Sequence, residues 1–342
     1  MRRVRKWRSL LGIGLLGVLG TGCAKAGVTD QAQQVHTLYV AIATIAAPVF
    51  IVVEGLLVFF VFRYRKRDDD APPQRVGSTR TLGIFFLIPL VIVTVLYAFG
   101  ETTLASIQKE DPNPQVVIRV EGFQWEWTFY YLNEGIFTTG KTLVKPAEMV
   151  VPIDVPVHIE LVSRDVIHSF FVPDFLFKRD VVPGRTNEFS FTANTLGTYQ
   201  GQCAEFCGLH HAQMTFSLRV VTLQDYAAWV TATRNAANNV TCPVTGSSVS
   251  VTAQNIAWNT DCMAVKANTP VTLTVVNLDS GIDHDFAIYN SPQRTKRLVP
   301  ATGAFSGVAT NTYQLGSLPA GKYYFQCDIH GPAMSGTFIV GP

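Results

Sequence analysis

Two long stretches that are almost free of charge constrain this chain more than any other feature. Leu38–Phe62 is 25 residues with one charged side chain, Glu54, and Leu82–Phe99 is 18 residues with none. About 20 apolar residues in a helix span the hydrocarbon layer of a bilayer, so both stretches read as transmembrane helices, over 38–62 and 82–104, the first with some tilt. The composition agrees: only 15% of residues are charged, where a soluble globular chain carries about 25%. Between the spans lie Arg63, Arg65, Lys66, Arg67, Arg75 and Arg80, offset by Asp68, Asp69 and Asp70. Basic loops stay on the cytoplasmic side, so 63–81 faces the cytoplasm and everything after residue 105 faces outward. Glu54, an ionisable residue within a span, is either a functional group or a carboxyl turned toward a polar neighbour in another subunit.

Residues 1–22 read as an export signal, with a basic start (Arg2, Arg3, Arg5, Lys6, Arg8) and an apolar core, Leu10–Leu19, too short to span. Thr21-Gly22-Cys23 resembles a bacterial lipoprotein cleavage box, although Gly20 stands where a leucine is usual. It predicts lipidation of Cys23, which would place the lipid in the outer leaflet and residues 23–37 in an external tail. An ordinary signal with Cys23 unmodified is the alternative. Residues 1–105 carry twelve basic against six acidic side chains, and residues 106–342 carry fifteen against nineteen. A nucleic-acid partner is therefore not expected, because its basic patch would lie on the folded part.

From Val116 the pattern changes to short β-branched and aromatic segments separated by Pro and Gly: Val116–Val120, Val157–Val162, Asn187–Thr192 and Thr215–Val221. Such spacing predicts a β-sandwich over 106–233, closed by an amphipathic helix over Leu223–Thr233. Residues 234–240 read as a linker. A second β unit over 241–342 contains Val249–Thr252, Pro270–Asn277, Asp285–Tyr289, Lys322–Cys327 and Ser335–Val340. Each unit has a central histidine (His168, His284) and a Cys/His/Met cluster before its last strand, a weak internal repeat of one fold carrying two different sites.

The first cluster runs Cys203-Ala-Glu205-Phe-Cys207, then His211 and Met214. Thiolates, imidazole and thioether form a soft ligand set suited to copper. With His168 the set is two His, two Cys and one Met, enough for two bridging thiolates to hold a pair of copper ions. A disulfide between Cys203 and Cys207 is the first alternative, and zinc the second, although zinc leaves the methionine unexplained.

Three blocks here, Gly122-Phe-Gln-Trp125-Glu-Trp127, Asp165-Val-Ile-His168-Ser-Phe and the cysteine cluster, closely resemble subunit II of haem–copper cytochrome c oxidases, over roughly residues 35–232. The resemblance implies a binuclear CuA centre held by His168, Cys203, Cys207, His211, Met214 and the Glu205 carbonyl. It also implies that the Glu205 side chain reaches a magnesium or manganese ion shared with subunit I, and that Trp125 is the electron-entry residue. His211 rather than its neighbour His210 fits the family spacing, and Trp127 reads as core. Glu121, Glu126 and Glu134 near Trp125, with nine basic against fourteen acidic residues over 106–232, suggest either a patch steering a basic donor or a solvated surface. Many members place a glutamate seven residues before the proline of the second span; here that position is Leu82. Proton entry through this subunit is thus in doubt.

The second cluster, Cys327, His330 and Met334 with His284 upstream, offers one thiolate and so a single metal. Two His and one Cys with a weak axial Met make a type 1 (blue) copper set, and the loop resembles that of cupredoxins. A vestigial or copper-delivering site is the alternative. Cys242 and Cys262 remain, as a disulfide in an oxidising compartment or as two buried thiols.

The expected fold is a two-helix transmembrane hairpin followed by two all-β cupredoxin-like Greek-key sandwiches. The expected function is that of a respiratory oxidase subunit II in the bacterial cytoplasmic (inner) membrane, with both copper domains periplasmic. It would work with subunits I and III, pass electrons to haem in subunit I for oxygen reduction coupled to proton translocation, and take them from cytochrome c, a cupredoxin or a quinol:acceptor oxidoreductase complex. No C-x-x-C-H haem motif is present, and the second domain reads as a tethered donor to the first. Its basic cluster, Arg294, Lys296 and Arg297, is expected to dock on the acidic first domain. The alternatives are a CuA subunit of a nitric oxide reductase and a membrane-tethered copper carrier.

Overall fold

The computed structural model describes residues 27–65, 77–109, 113–141, 145–244, 246–291, 296–299 and 302–342. The export signal, Cys23, Arg294 and most of the basic loop lie outside the described residues. The chain divides into an N-terminal helical unit and a β unit.

The helical unit holds α1 (Asp30–Arg63) and α2 (Thr79–Ile107). Thr29 caps α1, its hydroxyl accepting from the Ala32 amide at 3.0 Å, which satisfies one of the donors a helix start leaves free. The helix therefore begins eight residues before the apolar run, its first two turns drawn from the polar segment expected as tail. At 1.5 Å per residue the 34 and 29 residues extend about 51 and 44 Å, beyond the ~30 Å hydrocarbon layer. Both helices are long and apolar enough to cross a membrane, and their large apolar side chains, among them Phe50, Val61, Phe85 and Val93, are exposed. Glu54 lies exposed partway along α1.

In the β unit, the first sandwich comprises β1 (Val116–Phe123), β2 (Glu126–Tyr131), β3 (Ile136–Thr139), β4 (Ala147–Pro152), β5 (Pro156–Ser163), β6 (His168–Val172), β7 (Phe177–Val181), β8 (Asn187–Thr192), β9 (Gly197–Cys203) and β10 (Thr215–Val221). One sheet has the order β3-β2-β1-β5-β8 and the other β4-β10-β9-β6-β7. Pairs β1–β5 and β4–β10 are parallel, the others antiparallel. Trp127, Phe129, Phe170 and Phe216 fill the space between the sheets, with ring centroids 4.8 to 6.1 Å apart. Such aromatic contacts add to the burial of large apolar area. Alternate residues of β5 and β10 are buried, the period-two pattern of a half-covered sheet.

Helix α3 (Leu223–Asn238) follows, capped by Thr222, whose hydroxyl accepts from the Asp225 amide. It runs through most of the segment expected as linker, because Asn235, Ala236 and Ala237 continue the helix and Arg234 Nη2 is held by the Glu134 carbonyl at 2.6 Å. Tyr226 and Val230 turn inward, and Tyr131 packs on Trp229.

The second sandwich comprises β11 (Ser248–Ala253), β12 (Cys262–Lys266), β13 (Pro270–Asn277), β14 (Asp283–His284), β15 (Ala287–Tyr289), β16 (Arg297–Val299), β17 (Phe305–Ser306), β18 (Ala309–Ser317), β19 (Gly321–Cys327) and β20 (Gly331–Gly341). The sheets are β11-β13-β18 and β12-β20-β19-β15-β16, with β14 and β17 as a short pair. The run expected as one strand over Asp285–Tyr289 is divided, with Asp285 and Phe286 between β14 and β15. A disulfide joins Cys242 to Cys262 at the start of β12, with Cα atoms 5.9 Å apart.

Candidate metal centres

In each sandwich the cysteine ending one strand and the loop into its antiparallel neighbour bring soft donors together, and a histidine from an adjacent strand completes the set. In the first, Cys203 ends β9 and His168 opens β6. Cys203 Sγ lies 3.8 Å from Cys207 Sγ, 3.9 Å from His168 Nδ1 and 3.2 Å from the Glu205 carbonyl oxygen. Cys207 Sγ lies 3.4 Å from His211 Nδ1 and 3.7 Å from Met214 Sδ. Both cysteines are free thiols, and they, His168 and Met214 are buried. Two sulfurs in contact without a bond, each beside its own imidazole nitrogen, fit a metal pair.

His210 does not join this group. Its ring stands edge-on to Trp125, with centroids 4.8 Å apart. Trp125 Nε1 donates to the Cys207 carbonyl at 3.1 Å, and Gln124 Nε2 to the same oxygen at 2.7 Å. Gly208, at φ +115°, leaves room for the indole: a Cβ there would lie 3.3 Å from its ring. Trp127 is fully buried beside His168 and the core rings. The Glu205 carboxylate points away from the sulfurs to Lys178 Nζ, at 3.3 Å.

The three glutamates near Trp125 do not form a solvated patch. Glu126 is buried, its Oε1 accepting from the Trp127 amide at 2.8 Å. Glu121 is buried between the Tyr130 hydroxyl and Arg164, and Glu134 accepts from the Tyr226 hydroxyl. Backbone amides hold Glu126 in the fold, and tyrosine hydroxyls with one arginine hold Glu121 and Glu134.

In the second sandwich, Cys327 Sγ lies 3.5 Å from His330 Nδ1 and 3.9 Å from His284 Nδ1. Cys327, His284 and Met334 are fully buried and His330 nearly so. Among the described residues the one sulfur here has no thiol neighbour to bridge with, so the donor set fits a single metal. The Trp258 indole donates to the Met334 carbonyl at 2.8 Å, fixing the backbone that carries the thioether.

Electrostatics set the protonation of both groups. The Cys207–Cys203 hydrogen bond holds the Cys203 thiol below its ordinary value, and the same contact with burial pushes Cys207 up. Two thiols so close release their protons as a pair, one readily and one with difficulty. Burial opposes charge on His168, but hydrogen bonds with Asp165 and Cys203 outweigh it and raise its pKa. In the second group burial pushes the Cys327 thiol up and lowers His330 to about 3, with His284 adding to the effect. Burial thus keeps the imidazoles of the second group neutral, as ligation requires, while His168 and the Cys327 thiol would give up their protons to a bound cation.

Sequence reasoning did not assign the carboxylates behind the histidines. Asp165 Oδ1 lies 2.9 Å from His168 Nε2, and Asp279 Oδ2 lies 2.9 Å from His284 Nε2. Each frees Nδ1 for a metal by occupying the opposite ring nitrogen. Asp165 had a local signal, three residues before a ligand histidine; Asp279 sits before β14 and had none.

Residues 116–221 match the family described as "Cytochrome C oxidase subunit II, periplasmic domain", and residues 222–340 match a "Cupredoxin-like domain" family. A probable cytochrome c oxidase subunit 2 of Streptomyces coelicolor is 30% identical over 270 residues, covering 65% of this chain and 85% of that protein. A cytochrome c oxidase subunit 2 of Cereibacter sphaeroides is 30% identical over 265 residues, covering 68% and 87%. The periplasmic domain of cytochrome oxidase subunit II from Bradyrhizobium japonicum is 33% identical to the aligned part. That comparison covers 36% of this chain and 97% of the solved one, with a TM-score of 0.35.

Proposed function

Since this chain belongs to the cytochrome c oxidase subunit 2 family, we propose that it is the electron-entry subunit of a respiratory terminal oxidase in a bacterial cytoplasmic membrane. In this reading the first centre is a CuA pair held by His168, Cys203, Cys207, His211, Met214 and the Glu205 carbonyl. The second is a type 1 copper held by His284, Cys327, His330 and Met334. Copper supplies one-electron exchange at both. The second domain acts as a tethered donor to the first, and the tether sets an effective concentration of about millimolar. With copper held there, the first centre would serve haem in subunit I, the site of oxygen reduction to water with proton translocation in this reading.

The chain's own residues supply the rest. Asp165 and Asp279 fix the His168 and His284 rings from behind, so little needs to move when charge arrives. Burial of His168, Cys203, His284 and Cys327 keeps water from the ligands. The Glu205 carboxylate is the group that would serve a magnesium or manganese ion at the boundary with subunit I, after leaving Lys178. The two hydrophobic helices hold the β unit at the membrane, with its domains on the periplasmic face beside subunits I and III.

The observation that carries this reading is the pairing of two donor sets: two sulfurs 3.8 Å apart in one, a single sulfur between two imidazoles in the other. Metal analysis and optical and EPR spectra of the purified chain test it. Three coppers per chain, a mixed-valence pair signal and a separate blue band are expected. Cys327→Ser should remove only the blue band, and Cys207→Ser only the pair signal. Zinc alone, or a colourless copper-loaded chain, would overturn the assignment. A freely exchangeable copper would favour the carrier reading, against which the burial of every ligand side chain but His211 stands.

A further inference from the structure

Arg164 follows β5 and precedes Asp165, and its side chain crosses from the first sandwich to the second. Its backbone amide is held by the Gly122 carbonyl at 3.1 Å. Its Nε lies 3.6 Å from Glu121 Oε1, and its guanidinium carbon 5.9 Å from the centroid of the Phe123 ring. Nη2 donates at 2.9 Å to the carbonyl of Asp328, the residue after Cys327. Gly331, the residue after His330, backs onto the same guanidinium at φ +58°, where a Cβ would collide with Nη1. One planar cation thus reaches into the turn between two candidate ligands of the second centre.

Trp125 makes a matching contact. While its Nε1 holds the Cys207 carbonyl, its ring packs against the apolar core of the second sandwich. Further out, Lys141 Nζ pairs with Asp261 at 2.7 Å, Phe137 meets Tyr324 edge-on, and Lys322 Nζ bonds the Asn238 carbonyl at 2.9 Å. Cations cross this boundary from both sides, Lys322 from the second sandwich among them, and Arg294 of the expected docking cluster lies outside the described residues. The first sandwich supplies Arg164 and Lys141, and Arg297 of the second turns inward to Tyr289 and Asp328 of its own domain.

We propose that Arg164 is the positioning residue that clamps the Cys327–His330 turn onto the Asp165–His168 turn, making the second domain the permanent occupant of the face around Trp125. The inference rests on the two-centre reading above and deepens it. A continuous route links the two ligand sets: Cys327 to the Asp328 carbonyl, across one hydrogen bond to Arg164, through the Arg164–Asp165 peptide, and across the 2.9 Å contact of Asp165 with His168. The second sandwich covers part of the half-buried Trp125 ring, and a separate donor protein would have to displace it to reach that face. External donors, as reduced one-electron metalloproteins, therefore deliver at the second centre. Each transfer across the clamp oxidises the second centre by one electron and reduces the first by one, with no proton or further reactant.

The test uses the full chain in detergent, as wild type, Arg164→Ala and Arg164→Lys. Lysine keeps the charge but loses the fork. Hydroxyl-radical footprinting of Trp125, read by mass spectrometry, reports the clamp without any metal. Losing a hydrogen bond from a charged donor should raise Trp125 oxidation about tenfold in Arg164→Ala, with a smaller rise in Arg164→Lys. In the copper-loaded chain, pulse reduction should show electron exchange between the centres slowed by a similar factor, with metal content and both spectra unchanged. Should Arg164→Ala fail to fold, Arg164→Lys decides. Wild-type Trp125 oxidised as fast as in the variants, or exchange unchanged in both variants, overturns the clamp. A wild-type chain lacking the two copper signals sinks the relay reading instead, and the clamp then stands or falls on Trp125 protection in the metal-free chain.

Discussion

Asp279 Oδ2 lies 2.9 Å from His284 Nε2, and the same carboxylate accepts the amides of Asn255 at 2.6 Å and Ile256 at 2.9 Å. Its own amide donates to Asn277 Oδ1. A loop 20 to 30 residues upstream is thereby tied to the ring that presents Nδ1 to Cys327. In the first centre Asp165 plays the corresponding part for His168, but it is 28% exposed against 8% for Asp279. The second imidazole therefore has its counter-charge in the drier place.

Asp279→Asn keeps the shape and removes the charge. Loss of a carboxylate behind a metal-ligating histidine should weaken copper binding at the second centre about 10- to 100-fold. It should also raise that centre's midpoint potential, because a nearby negative charge favours the more positive oxidised state. Competitive copper titration and a redox titration of the blue band check both. Unchanged values would show that Asp279 serves only the Asn255–Ile256 loop.

Glu126 sets a pH dependence of stability. Burial raises its pKa from 4.5 to about 8, against the hydrogen bonds from the Trp127 and Ala147 amides. Below pH 4.5 the carboxyl is protonated in folded and unfolded chains alike, and no stability is lost. Between 4.5 and 8 the unfolded chain releases its proton while the folded chain keeps it, so stability falls as pH rises. A displacement of that size amounts to about 5 kcal/mol once pH exceeds 8. Glu126→Gln should flatten this slope. Unfolding of the first sandwich followed from about pH 5 to pH 8 decides: parallel slopes for wild type and variant would remove Glu126 as the cause.

Legibility in the sequence followed locality. The two helices announce themselves through composition, and the clusters at 203–214 and 327–334 keep their ligands within one loop each. His168 and His284 could be joined to those loops because each sandwich repeats the arrangement. Strand β18 went unread since its burial alternates only between partial and full exposure, with Thr310, Thr312 and Gln314 along it. Segment 234–238 was read as a linker from its Asn and Ala content, but its helix is secured by a contact with Glu134, 100 residues away. Arg164 acts across the fold, 164 residues from the carbonyl it holds, and Asp279 joins His284 to amides 24 and 23 residues upstream of itself. No spacing rule marks such positions.

The Cys242–Cys262 disulfide closes a segment with a sequence separation of 20. It restricts the unfolded chain, so the paired change Cys242→Ser/Cys262→Ser should cost the second sandwich about 3 kcal/mol. Neither cysteine contacts the ligand set, and copper content should stay the same. Thermal melts of the second sandwich in wild type and double variant test this. An unchanged melting temperature would mean that packing alone pins β12.

Trp258 links the stability of the second sandwich to the character of its metal centre. Its side chain is nearly buried, its indole donates to the Met334 carbonyl at 2.8 Å, and its ring lies 6.0 Å from both His284 and Phe286. Trp258→Phe leaves apolar bulk in place and removes the donor, so the Met334 carbonyl loses its partner in a dry site. That should destabilise the domain by about 1–3 kcal/mol. Met334, the weakest donor of the proposed copper set, would be the ligand most easily displaced by a shift of its backbone. The blue band should therefore move or change intensity while the pair signal of the first centre stays fixed. A variant that loses stability with its spectrum intact would show that β20 holds Met334 without the indole, and that Trp258 serves packing only.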